Sequence, residues 1–246
     1  MLLFDAPDRW RVYQEGPRFF FEGVSRKVRE IQEEVQWRSW VKSDFHQLDF
    51  FILRSKEDAF WWMSLLDPFL LLFLSSLLPF KEGLLLHGLG IASDARGMLF
   101  LGKDGGGKST LGTLWHESGK GTVLNDDRVI LRKIGPQWLL FGTPWFGSFR
   151  SSLPGGVPLQ EICLIEHAPE NRLEEVSFTG AFERMMQQLF LAFWKDEAIG
   201  KAMALCEELV QTFPVRRFGF AKDPSAVNFF LNSLNNAPSS RLPLPA

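Results

Sequence analysis

Cysteine is nearly missing. Cys163 and Cys206 are the only two in 246 residues, and they lie far apart without metal-ligand or disulfide-framework spacing, which sets aside a zinc module and a disulfide scaffold. Both stand in apolar surroundings and read as buried structural thiols, consistent with a reducing compartment. An excess of one charge is missing too: 27 Lys and Arg against 29 Asp and Glu leave a net charge of −2, and no long basic run marks a nucleic-acid surface. A secretory signal is not expected, because Asp5, Asp8 and Arg9 break the apolar start at once. The most apolar stretch, Phe69 to Leu78, falls short of the roughly 20 residues a bilayer-spanning helix needs. It reads instead as a buried helix with Asp67 as its N-cap and Pro68 in its first turn. No internal repeat stands out. These absences point to a cytoplasmic protein with neither nucleic acid nor membrane as its partner, and 46% hydrophobic residues suffice for a core.

What is present is one dense stretch, Gly97 to Thr110, containing Gly102-x4-Gly107-Lys108-Ser109. This is the phosphate-binding loop pattern, and its flanks suit it: Met98–Leu101 reads as a buried strand, and Leu111, Leu114 and Trp115 recur at helical spacing. Gly105, Gly106 and Gly107 let the backbone turn its N–H groups onto a phosphate where a side chain would be strained. Gly102, Lys103, Asp104 and Thr110 complete the loop. The helix start adds its partial positive charge. In this pattern Lys108 reaches the terminal phosphates and Ser109 offers its hydroxyl to magnesium. The expected ligands are therefore a nucleoside triphosphate and Mg2+.

Three regions are expected. Residues 1–65 carry aromatic and β-branched runs (Trp10–Tyr13, Arg18–Glu22, Glu34–Trp40, Leu48–Arg54) that suggest a small lobe of antiparallel strands, with 24–33 open to either strand or amphipathic helix. Residues 66–235 hold the nucleotide site, and the proline-rich end, 236–246, reads as a disordered tail. Within the middle region Gly83–Ala92 reads as one strand, and a five-residue turn, Ser93–Gly97, makes it a hairpin with the strand at Met98. A hairpin feeding the phosphate loop implies a mixed rather than an all-parallel sheet. A helix from Ser109 to Ser118, stopped at Gly119, precedes an apolar strand ending in Asp126-Asp127, placed for a metal-binding acidic motif; the competing reading is a solvated turn. Phe141–Gly147 is a loop exposing Trp145, either positioning a ligand or covering the core. Ile162–Ile165 reads as a strand, Ala181–Trp194 and Asp196–Phe213 as helices, Val215–Phe220 as a late strand and Ser225–Leu234 as a last helix. By itself, His87 reads as a hydrogen-bonded core residue more readily than as a functional one.

Leu86-His87-Gly88, then Gly-x-x-Gly-Gly-Gly-Lys-Ser-Thr, then Leu-Asn-Asp-Asp-Arg-Val, taken in that order over residues 68–232, resemble the HPr kinase/phosphorylase family and its phosphoenolpyruvate carboxykinase-like neighbours. The closer likeness is to short HPr kinase-like proteins of peptide-modification clusters, through Gly-Thr-Pro-Trp and Ala168–Leu173. The resemblance implies an α/β fold, a mixed-sheet P-loop kinase core of the HPr kinase/carboxykinase type with a small β-rich N-terminal lobe. It implies a serine kinase moving the γ-phosphate of ATP to a hydroxyl of a peptide or protein acceptor, in a peptide natural-product pathway. Lys108 would bind phosphate, Ser109 and one of Asp126 and Asp127 would hold Mg2+, and the other Asp would take the hydroxyl proton; the reading leans to Asp126 as base and Asp127 toward the metal. His87 would set the charge of that pair, and Arg128 or Arg150 would stabilise the transferring phosphoryl group. The chain departs from the family at Asp104, where relatives have Ser or Thr, at Phe146, where close relatives often have His, and in lacking the C-terminal Arg-Pro-Gly-Arg-Asn-type loop. A non-catalytic nucleotide-binding accessory protein of a biosynthetic cassette is the alternative. Self-association is left open.

Overall fold

The computed structural model describes residues 1–6, 9–26, 33–42, 44–45, 47–52, 61–145, 147–149 and 155–235. The expected tail at 236–246, Phe146 and Arg150 lie outside the described residues, as does most of the ambiguous stretch after Arg26. The chain divides into two compact units, one of Met1–Leu77 with Leu191–Ile199, the other of Leu78–Phe190 with the chain from Gly200 on.

The first unit is an antiparallel meander of β1 (Leu2–Ala6), β2 (Trp10–Glu15), β3 (Arg18–Arg26), β4 (Glu33–Lys42) and β5 (Leu48–Ile52), paired in sequence order. Four of these are the aromatic runs read from the sequence, and β1 adds an edge strand. Phe19, Phe21, Trp37 and Val41 alternate onto one buried face. That face packs on Phe69 of helix α1 (Trp61–Leu77), whose ring lies 5.5 Å from Trp37 and 4.8 Å from Phe50. This packing draws the helix into the first unit, past the boundary expected at residue 65. The helix also starts earlier than expected, so Asp67 is inside it rather than at its cap, and Pro68 is an interior residue. Gly23 sits under Trp37: a Cβ there would overlap the indole nitrogen, so only glycine admits the ring.

The second unit is mixed α/β. Among the described residues, seven of its nine strands follow the order β6 (Gly83–His87), β10 (Arg128–Ile134), β11 (Gln137–Gly142), β12 (Gly156–His167), β8 (Arg96–Leu101), β7 (Leu89–Ser93) and β9 (Thr122–Asn125). Strand β14 (Val215–Phe220) joins β12, and β13 (Arg172–Glu175) joins β14. β12 runs parallel to β8 and to β14 while the other pairings are antiparallel, so the sheet is mixed as expected. The expected hairpin is present but tight: Ser93 faces Arg96, and Asp94 and Ala95 both take positive φ (49° and 58°), the two-residue turn that matches strand twist.

The single strand expected over Gly83–Ala92 is two. Gly88 interrupts it, β6 pairing with β10 and β7 with β9, and Asp126-Asp127 interrupts the opposing chain at the same level. Gly88 N–H donates to the Asp127 carbonyl across this break (3.1 Å). The helix expected to reach Trp194 also stops early, at α3 (Phe178–Met186). Beyond it the chain extends along β6: His87 N–H donates to Gln188 O (2.8 Å) and Phe190 N–H to Leu85 O (3.0 Å). The open edge of β6 takes the backbone that helical spacing alone assigned to α3. Helices α2 (Lys108–Ser118), α4 (Asp196–Thr212) and α5 (Ser225–Asn235) match their expected spans closely. Trp115 of α2 and Phe230 of α5 meet Phe100 and Phe218 in the core behind the phosphate loop. Cys163 and Cys206 are buried and outside any disulfide, and burial pushes the Cys206 thiol up to about 12, away from a nucleophilic thiolate.

Candidate functional site

The site is assembled at the ends of three local devices. The first is the phosphate-binding loop between β8 and α2. Gly107 caps α2 at φ 101°, and a Cβ on it would come within 2.6–2.7 Å of the His167 and Phe220 rings, so glycine is required both by conformation and by space. Lys108 is only 8% exposed. Its Nζ donates to the carbonyls of Gly102 (2.8 Å) and Lys103 (3.3 Å), bending the lysine back across the mouth of the loop. Burial lowers its pKa below the ordinary lysine value, against the opposing pull of Asp104, Asp127 and Asp126.

The second device is the break between β9 and β10. Asn125, fully buried, accepts from the N–H groups of Asp127 (2.8 Å) and Arg128 (2.9 Å) and donates to the carbonyls of Thr143 (3.0 Å) and Trp145. Thr143 Oγ1 donates in turn to Arg128 O (2.7 Å). This clamp turns the two aspartates in different directions. Asp126 is buried and accepts backbone N–H bonds from Gly147, Ser148 and Phe149, while Ser109 Oγ donates to its Oδ2 (3.4 Å). Asp127 is more open; its Oδ1 lies 3.2 Å from His87 Nδ1, and its Oδ2 lies 3.5 Å from Arg128 Nε. The hydrogen bond from His87, more than the opposing burial, holds the Asp127 carboxyl below the usual carboxylate range.

The third device is the β6–β7 break, which delivers His87. Its Nδ1 faces Asp127 and its Nε2 faces Asp104 Oδ1 at 3.2 Å. Carboxylates only accept, so the doubly protonated ring is the form that donates to both. Asp104, His87 and Asp127 therefore lie in a row from the exposed loop tip into the site. Asp104 Oδ1 is also 4.0 Å from Lys108 Nζ.

These groups line a cleft of about 320 Å³ containing His87, Asp104, Lys108, Ser109, Thr110, Asp126, Asp127 and His167. Most residues read from the sequence are thus brought together. Arg128, like Gly102, Lys103 and Gly106, is outside that lining: its guanidinium lies over the Trp145 ring (5.1 Å) and the Phe190 ring (5.7 Å), with Nε 3.5 Å from Asp127 Oδ2. The sequence reading missed Asn125 as the clamp, Thr143, His167 and the N–H groups of 147–149. Asn125 stands beside the aspartates in sequence, and a buried side chain with both donor and acceptor before an acidic pair is the signal that could have marked it.

A divalent cation has few protein ligands to choose from. No group of three or more His, Cys, Asp or Glu side chains suited to a metal occurs among the described residues. Ser109 and Asp126 offer two hard oxygens side by side. Such a sparse oxygen set suits Mg2+, which keeps several waters and takes substrate phosphate oxygens to complete its shell. The chain matches no known protein-family model, and no curated protein matches it in a search by sequence.

Proposed function

We propose that the chain is an ATP- and Mg2+-dependent kinase that transfers the γ-phosphoryl group to a serine-type hydroxyl of a peptide or protein. The observation that carries this reading is the convergence of Lys108, Ser109 and two differently held carboxylates on one cleft at the start of α2. Charge on the phosphates would be met by the loop N–H groups, the N-terminus of α2 and Lys108. Ser109 and Asp126 would hold Mg2+, whose chemistry here is to neutralise the phosphate oxygens. This exchanges the two aspartates relative to the sequence reading, because Ser109 faces Asp126 and not Asp127. Asp127, nearer solvent and oriented by His87, would accept the acceptor's hydroxyl proton as the acceptor oxygen bonds to the γ-phosphorus and the bond to the β-phosphate oxygen breaks, releasing ADP. His87 would keep the Asp127 carboxyl aimed and ionised.

The test is an ATP-consumption and phosphopeptide assay with Mg2+, comparing wild type with Asp126→Asn and Asp127→Asn. Loss of metal-dependent nucleotide binding in the first and retained binding with lost transfer in the second are expected. Asp104 favours the accessory reading, since an added carboxylate at the loop tip opposes phosphate. Tight ATP binding by wild type with every acceptor left unmodified would establish that reading instead.

A further inference from the structure

A second cavity of about 340 Å³ opens beside the phosphate loop, at the ends of the parallel strands β8 and β12. Its apolar lining is Leu101, Leu164 and Ile165; its polar lining includes Lys103, Arg184 and Arg217. The carboxylate in the lining, Glu166, is already taken by Arg172 (2.9 Å). Arg217 shares Glu174 at 3.7 Å, and Arg184 bonds the neutral Gln187 side chain (3.3 Å). The surplus in the cavity is therefore positive. His167, on the same wall, has its pKa lowered by burial and then by Lys222, so it adds no charge near neutral pH.

This cavity is not isolated from the chemistry. Lys103 and Gln188 line it and also line a shallower groove of about 490 Å³ that contains His87, Asp104, Leu189 and Phe190. One continuous path thus leads from the Arg184–Arg217 wall, around Lys103, to the imidazole that orients Asp127. Gln188 anchors the bend: in the orientation that satisfies its amide it donates to both Gly102 O and His87 O (3.3 Å each). Thr110 and Ser109 line the other cavity, which meets this one at Gly105 and His167.

We infer that this path is the acceptor site, and that it takes an acidic peptide segment, the reacting hydroxyl at His87 and a carboxylate-bearing residue against Lys103, Arg184 and Arg217. The inference rests on the kinase reading for the direction of transfer. The recognition itself is a binding property and is testable without turnover. Guanidinium groups favour carboxylates through paired N–H donors, and the apolar floor supplies contact for the intervening backbone and small side chains.

The experiment measures fluorescence anisotropy of labelled synthetic peptides with a central serine, one flanked by glutamates and one by lysines, titrated with the whole protein in the presence of ADP and Mg2+. Preferential binding of the glutamate peptide is expected. Arg184→Gln and Arg217→Gln should together weaken it by roughly tenfold or more, Arg184→Lys should retain much of it, and ADP affinity should not change. Both arginines are exposed, so an unchanged thermal midpoint is expected for the variants. A fall in ADP affinity in the arginine variants would make the cavity a nucleoside site and overturn the inference. Equal binding of the two peptides, or none of either, would overturn it as well. Failure of the kinase reading shows elsewhere, as absent ATP consumption while the acidic peptide still binds.

Discussion

The two units bury different things. In the first, the buried polar side chains among the described residues are Ser39, Ser75 and Ser76, and the core is a mosaic of rings in which Phe21, Trp37, Phe50 and Phe69 meet at 4.8–6.1 Å. In the second, Lys108, Asp126 and Glu161 are buried charges, and Asn125 is a fully buried amide. Burying charge costs stability unless each group is paired or hydrogen-bonded. Glu161 is paired, accepting from Arg216 (2.7 Å). Lys108 donates to backbone carbonyls, Asp126 accepts from backbone N–H groups and the Ser109 hydroxyl, and both line a cleft. The comparison teaches where to look for chemistry: the ring-packed unit buries hydroxyls but no charge among its described residues, and the other buries two charges that line an open cleft.

The sharpest way to break that contrast is Lys108→Ala. It should lower ATP consumption by at least about 100-fold, the scale of losing a principal donor to transition-state charge, with little change in urea unfolding. Retained turnover would return Lys108 to a structural role. The mirror experiment is Trp37→Ala, expected to cost about 3–5 kcal/mol of stability in urea unfolding through the cavity it leaves. It should leave the affinity for ADP in folded protein unchanged; a large loss would show that the aromatic unit participates in binding.

Two smaller effects refine the polar side. Asp127 has a folded pKa below its unfolded value, so its pairing with His87 stabilises the fold above about pH 4 and that contribution disappears as pH falls through the folded pKa. The stability difference between wild type and Asp127→Asn should therefore be present at pH 7 and shrink in acid, measured by urea midpoints. His87→Gln should raise the Asp127 pKa and move the acidic limb of the pH–rate profile upward. The smallest expected change is from Asp104→Ser. Removing an exposed carboxylate beside the phosphates should tighten binding of metal-free ADP by a few-fold, less so with Mg2+, by calorimetry.

How much of this was legible in the chain depends on how far apart the contributing residues lie. The phosphate loop is contiguous, and its glycines, Lys108 and Ser109 declare themselves because backbone conformation and ligand chemistry both demand them within eight positions. The meander was legible from alternation of Phe and Trp. The division of labour between Asp126 and Asp127 was not, because it is decided by Asn125 gripping Thr143 and Trp145 eighteen and twenty residues on. The end of α3 was hidden as well: Leu189 and Phe190 continue its apolar spacing, and only the unpaired edge of β6 reveals why the chain leaves the helix there. Pro68 misled in the opposite direction, since proline favours a first turn but the ring-lined face around Phe69 extends the helix past it.

The paired interruption at Gly88 and Asp126-Asp127 has a consequence for how this protein can be altered. His87 faces Arg128 across one ladder and Gly90 faces Asn125 across the next, so the two halves of the site are locked in count as well as in identity. Adding or deleting one residue between Leu86 and Gly90, or between Asn125 and Val129, would slip one of these ladders against the other and move His87 or Asp127 out of place. Length changes belong instead at the hairpin tip around Gly135, where nothing crowds the backbone. The molecule is thus more permissive of new residues than of new spacing, and its site is written as an alignment between two strands.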